Sequence, residues 1–350
     1  MTKKITCIIA SLLAVVFLFA GCSAEQIKSI LIPEIDTYDP AVELASDMLG
    51  KEITQENLTS GDFTYLILDD DTAVVTKYNG KDDIVEIPES LDGHKVAGLE
   101  NKALYQSEIK ELILPDTLEV VGNYAAMHCT ELERVTFGKG IKIIGVSAFE
   151  SNGNNSNATG DGSLKTIVFN GSPEKISQKA FYFADKLTEI IIPDGVKYIE
   201  NWAFAKCYGA EKIIIGEGVE YIGDHAFLKC KKAKEIFIPG TCKTVETSAF
   251  YQCTGIEKLT LETGVETLMK GAFEECSSIK EVIIPETVKT MEPYVFYNCD
   301  SLNLCTFEGS PEIMEKDIFT GADNITVKTS VGSSAEKYAA DNNIPVLKQG

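Results

Sequence analysis

The chain has 350 residues, 44% of them hydrophobic, with 53 acidic side chains against 32 basic ones. That apolar content is enough for a sizeable core and excludes a chain disordered by composition. The net charge of −21 disfavours nucleic acid and broad electrostatic docking on anionic lipid.

The first segment reads as a secretory leader. Lys3 and Lys4 form a positive start, Ile5 to Phe19 is apolar but too short to span a bilayer, and the small residues Ala20 and Gly21 follow. Loss of the two lysines with the leader takes the net charge from −21 to −23. The ending Leu18-Phe19-Ala20-Gly21-Cys22 resembles a bacterial lipobox, with Phe19 where an aliphatic residue is usual. The resemblance implies cleavage after residue 21 and a diacylglyceryl group on Cys22, hence a membrane anchor of two or more acyl chains. Residues 22–63 then read as a lipid-anchored tether and N-terminal cap, with a helix expected over Pro40 to Leu49 behind an Asp39 N-cap.

A period of 23 residues dominates the rest. Ala180-Phe181, Ala203-Phe204, Ala226-Phe227, Ala249-Phe250 and Ala272-Phe273 keep it, and Val295-Phe296 and Ile318-Phe319 continue it. Ala148-Phe149 lies 32 residues before Ala180-Phe181, so nine residues are inserted, and the Asn- and Gly-rich stretch Ser151 to Ser163 reads as a surface loop. Six units carry a cysteine at one position: Cys129, Cys207, Cys230, Cys253, Cys276 and Cys299. Apolar residues such as Leu187, Ile190 and Ile192 then predict a strand whose alternate residues point inward. Pro193 ends it, and Val196, Ile199, Ala203 and Phe204 return by a loop or short helical turn. In two units Phe169-Asn170-Gly171-Ser172-Pro173 and Phe307-Glu308-Gly309-Ser310-Pro311 replace the turn, and both are expected to skip the Val-x-x-Ile step. One unit cannot bury its apolar face alone, whereas stacked units can.

This motif resembles the BspA-type leucine-rich repeat family of bacterial surface proteins. Tyr65 to Leu104 is similar to the family's opening unit and Ile325 to Leu347 to its closing unit, so the array is placed at residues 64–347. The resemblance implies a β-rich (α/β) fold, a right-handed leucine-rich repeat solenoid of about ten units with one parallel sheet face, exposed outside the cell. It implies binding or adhesion and carries no catalytic residue.

The residues themselves point to no enzyme. His94, His128 and His225 fall at unrelated repeat positions, and no catalytic triad order, His-x-x-x-His pair or phosphate loop occurs. No metal site, cofactor or small-molecule substrate is expected. The repeated cysteines, with Cys242 and Cys305, occupy positions that require small apolar groups, so buried free thiols are expected over disulfides or zinc. In the outward strand row, Val168, Ile191, Ile214, Phe237 and Ile283 stand beside Glu189, Lys212, Glu235 and Lys258, whose charges alternate. The charged row is a register device. The apolar row has two readings: strand propensity alone, or an exposed stripe that binds a macromolecule. The functional expectation is an exported surface lipoprotein that contacts a protein or other macromolecule, from host matrix or neighbouring cells, through this face. The alternative is an envelope spacer without a dedicated ligand.

Overall fold

The computed structural model describes residues 43–150 and 162–349. The leader, Cys22, Asp39 and most of the inserted loop lie outside the described residues.

One unit shows why the chain folds this way. In the strand Glu189–Ile191, Ile190 is buried and Glu189 and Ile191 face outward. Pro193, which cannot extend the ladder, turns the chain. Val196 and Ile199 are then fully buried, the latter in a second, two-residue strand, Tyr198–Ile199. Ala203, Phe204 and Cys207 close the triangle from a third side and are fully buried as well.

Stacking repeats the triangle. One side is a row of twelve strands from Ile84–Glu86 to Val346–Gln349, broken into four parallel ribbons with gaps after Phe169, Ile214 and Leu261. The return half carries a second parallel ladder that the sequence reading treats as loop. It runs unbroken through ten strands, from His94–Leu99 to Ile313–Met314. The continuous hydrogen-bonded spine is therefore the side made of two-residue strands, too short to give a period-two signal.

The two departing units do not skip a step. Pro173 and Pro311 are buried at the valine position, and Ile176 and Met314 pair in register with Ile199 and Met291. In the other units the N–H at this position closes a turn, as from Val196 to the Pro193 carbonyl at 3.1 Å, and proline forgoes that bond while its ring still fills the core.

The third side carries left-handed backbone at two positions four residues apart. Trp202 and Lys206 both have φ of 63°. Along this edge the N–H groups of Trp202, Phe204 and Lys206 point toward the next unit, where they donate to the carbonyls of Asp224, Ala226 and Leu228 at 3.0, 2.8 and 2.6 Å. The N–H groups between them, of Ala203 and Ala205, close tight turns onto Glu200 and Trp202 at 3.2 and 3.1 Å. Beneath this edge the phenylalanines Phe149, Phe181, Phe204, Phe227, Phe250, Phe273, Phe296 and Phe319 form one stack. Centroid spacings run from 5.1 Å for Phe181–Phe204 to 5.9 Å for Phe296–Phe319. The stack passes from Phe149 to Phe181 at 5.4 Å, so the nine extra residues leave the core period untouched.

Both ends are covered. Strands Ile53–Ser60, Phe63–Leu68 and Ala73–Tyr78 pair antiparallel, and the third pairs parallel with His94–Leu99 to start the spine. Helix α1 (Ala45–Leu49) packs on Leu66, Leu68, Val74 and Val120. At the other end helix α2 (Ser334–Asp341) is N-capped by the Ser333 hydroxyl, which accepts from the Glu336 N–H at 3.1 Å. Its Tyr338 ring meets Phe319 edge-on at 6.0 Å and ends the stack, while its hydroxyl accepts from the Ile318 N–H at 3.0 Å. Covered ends protect the strand edges and core of a solenoid from unwanted pairing.

Candidate interaction face

The strand row places the expected apolar residues on one outer surface. Ile191, Ile214, Phe237 and Ile283 are 48%, 43%, 37% and 54% exposed, whereas Val168 is half-buried. Ile191 pairs in register with Ile214, while Phe237 and Ile283 pair with Thr260 and Thr306. Phe237 sits at the equivalent position on the ribbon after Ile214, so the stripe crosses a gap in the hydrogen bonding.

The charges beside it also meet in register. Glu189 faces Lys212, and Glu235 faces Lys258, whose ammonium lies 3.7 Å from the carboxylate. One residue earlier in each unit a further row alternates, with Lys110–Asp83 and Lys165–Glu133 both at 2.7 Å and Lys234–Glu257 at 2.9 Å. The face is thus a checkerboard of opposite signs around an apolar stripe, and its charges largely cancel locally. Exposed pairs are screened by solvent and stabilise little, so the checkerboard sets register more than stability.

Sequence reasoning missed a second charge row, on the spine. Lys95, Glu119, Lys142, Glu174, Lys197, Glu220, Lys243, Glu266, Lys289 and Glu312 alternate without exception. Lys142–Glu119 is 2.6 Å, Lys197–Glu174 3.5 Å and Lys243–Glu266 3.6 Å. The signal was present at the 23-residue period but lay in a segment not read as strand.

The eight described cysteines are free and buried. In the repeated row each sulfur donates to a carbonyl of the preceding unit, 25 residues upstream for Cys129 and 26 for the others, as from Cys253 Sγ to Phe227 at 3.1 Å and Cys276 Sγ to Phe250 at 3.2 Å. Burial pushes the Cys129, Cys242 and Cys299 thiols up to about 12 and the Cys230, Cys253, Cys276 and Cys305 thiols well above their ordinary value. These are packing groups, not nucleophiles, since the thiolate is the reactive form. The histidines stay apart: His94 contacts Asp71 in the cap, and His225 is stacked on Trp202. Among the described residues no group of three or more His, Cys, Asp or Glu is placed to hold a metal ion, and no helix is long and apolar enough to cross a membrane.

No curated protein matches the chain. Among solved structures it is similar to a leucine rich cell surface protein from Faecalibacterium prausnitzii, at 19% identity over 84% of this chain and 95% of that one, with a TM-score of 0.51. That likeness supports the fold. A T. pallidum leucine rich repeat protein matches at 24% identity over 64% of this chain and 91% of that one, with a TM-score of 0.46. The pneumococcal vaccine antigen PcpA matches at 16% identity over 85% and 100%, with a TM-score of 0.40. The family model described as BspA type leucine rich repeat region matches in 6 copies, over residues 97–170, 153–270 and 207–326. With its 23-residue triangular unit, its two parallel ladders and this match over most of its length, the chain belongs to the BspA-type leucine-rich repeat family.

Proposed function

We propose that the protein is an exported surface lipoprotein, anchored through Cys22 and held off the membrane by the segment before its array. It attaches to a protein or other macromolecule of host matrix or neighbouring cells through the long-strand face. The observation that carries this reading is the stripe Ile191, Ile214, Phe237 and Ile283, exposed in a strongly acidic chain whose neighbouring charges pair with each other. Exposed apolar surface of this kind, rimmed by polar residues, marks interaction sites on soluble proteins. Hydrophobic contact supplies affinity, and the neutral checkerboard leaves little charge to repel a partner.

The lipobox-like ending at Cys22 supports the anchor, and metabolic labelling with a fatty acid tests it. Wild-type protein takes up the label and Cys22→Ala does not; label retained in the variant contradicts the assignment. The binding face is tested by replacing Ile191, Ile214 and Phe237 with Ser and measuring attachment of displaying cells to matrix proteins and to neighbouring bacteria. Lost attachment with an intact fold supports the face, and undiminished attachment rules it out.

A further inference from the structure

The outer face of the spine opens beyond helix α1. Val120 is buried in one cluster with Ala45 of that helix, and Ile143 in the next unit is half-buried against it. From Tyr198 to Ile313 the first residue of each two-residue strand faces outward, in unbroken register. Tyr198 at one end is 39% exposed and Ile313 at the other 48%, with Tyr221, Thr244, Thr267 and Thr290 between them. Beside this row run Lys197, Glu220, Lys243, Glu266, Lys289 and Glu312, whose signs alternate. Lys197 and Lys243 reach carboxylates of neighbouring units at 3.5 and 3.6 Å. Among the described residues, Glu220, Lys289 and Glu312 make no ion pair within the chain.

Reversing an alternating row of even length places every charge opposite its counter-charge. Two copies packed face to face about a two-fold axis form a closed pair, and both use the same patch. With the axis along the solenoid, each unit faces its own counterpart and like charges meet. With the axis along the strands and centred between two units, the order reverses and facing charges are opposite. Centred on the exposed stretch, between Thr244 and Thr267, the axis sets Lys243 against Glu266, Glu220 against Lys289 and Lys197 against Glu312. The same operation brings Tyr198 onto Ile313, Tyr221 onto Thr290 and Thr244 onto Thr267. Charges without a partner in their own chain thereby gain one, and the exposed apolar side chains at the two ends cover each other.

We propose that a second copy of this chain docks on this face, antiparallel to the first, along the stretch from Tyr198 to Ile313. A partner here must carry charges of alternating sign at the pitch of the solenoid, about 4.8 Å, and the row itself supplies them. At physiological ionic strength the net charge of −21 is screened beyond about 8 Å, whereas the facing pairs lie in contact, so local complementarity decides. Glu200 and Glu315 also face each other at the rim, where Lys175 already holds Glu200 at 3.4 Å. The contact is about 24 Å long and small beside a standard interface, so association in the micromolar range is expected.

Sedimentation of the full-length protein in physiological salt is expected to show a monomer–dimer equilibrium. Glu220→Lys or Lys289→Glu alone sets like charges against each other twice and is expected to weaken it by about tenfold or more. In an equimolar mixture of the two variants, the reversed side chains face each other and so do the native ones. Every pair is again opposite in sign, and wild-type affinity is expected to return. Orientation is read by mixing Tyr198→Cys chains with Ile313→Cys chains under mild oxidation. A disulfide between the two variants is expected, and one between two Tyr198→Cys chains is not. A protein that stays monomeric to about 100 μM, single variants that associate as wild type does, or a mixture no tighter than its components overturns the proposal. So does linkage between Tyr198→Cys chains in preference to the mixed pair. Ile191→Ser/Ile214→Ser/Phe237→Ser lies on another side and is expected to leave self-association unchanged, so the two surfaces stand or fall separately.

Discussion

The cysteine row illustrates how one residue type serves a repeated position. Each site needs a small group that fills the interior yet satisfies a carbonyl left at the turn, and a thiol does both: Cys230 Sγ lies 3.4 Å from the Phe204 carbonyl. Burial and the raised thiol pKa values suppress the thiolate. All eight described thiols are buried and on that ground are expected to resist maleimide at pH 8 in the folded protein and to react together once denaturant is added. Labelling of Cys230 or Cys253 in the folded state would refute the packing. Glu274 is a second residue-scale case. Burial and neighbouring Glu275, opposed by Lys270, lift its carboxyl from 4.5 to about 7. The folded state thus holds the proton more tightly than the unfolded chain. Its contribution is full below 4.5 and is lost as pH rises through 7. Glu274→Gln is expected to match wild type at pH 4 and to exceed it at pH 8 by roughly 1 kcal/mol, a value discounted for partial exposure. Urea unfolding at the two pH values measures this.

At the scale of elements, what the sequence shows depends on how strongly the physics constrains residue type. The long strands are legible because Ile190 and Ile192 alternate with Ile191, and the core positions because Ala203 and Phe204 recur. The turn edge is not legible. Its left-handed residues include Lys179, Trp202, His225 and Ser248, where glycine or asparagine would be the usual signal. Left-handed backbone costs an ordinary residue about 1–2 kcal/mol. The cost is offset by the hydrogen bonds that this edge sends to the next unit and by the ring stack below. That stack is tested by Phe250→Ala, which removes a fully buried ring between Phe227 at 5.2 Å and Phe273 at 5.3 Å. The expected loss is about 3–5 kcal/mol by urea unfolding. A loss below 1 kcal/mol would show that the stack is dispensable. The exposed apolar stripe was legible in position, since Ile191, Ile214, Phe237 and Ile283 are exposed as the strand period requires. The ring contacts of the turn edge were not, because Tyr182, Trp202 and Lys206 meet only once the turn geometry brings successive units together.

At the scale of the whole molecule, the period of charge is twice the period of structure. Core residues repeat every 23 positions, whereas signs invert at each step from Glu211 to Lys280 and all along the row through Lys243. Removing one unit, residues 234–256, therefore sets Glu211 against Glu257 and Glu220 against Glu266. Removing two, residues 234–279, restores opposite signs, with Glu211 meeting Lys280 and Glu220 meeting Lys289. Stability in such arrays is a sum of unit and neighbour terms, so both deletions are expected to fold. The melting temperature of the one-unit deletion should rise with salt, which screens the new repulsions, while that of the two-unit deletion should respond as wild type does. Equal salt responses would remove the register role from the charge rows.

The same cancellation of charge bears on attachment. If the apolar stripe carries the contact, binding depends on hydrophobic burial and only weakly on ionic strength. The decisive measurement is attachment of beads coated with wild-type protein or with Ile191→Ser/Ile214→Ser/Phe237→Ser to matrix and to neighbouring cells, at low and at high salt. The account predicts wild-type attachment that persists at high salt and is lost in the folded triple variant at both salt concentrations. Attachment that the triple variant retains, or that disappears from wild type as salt rises, would contradict it.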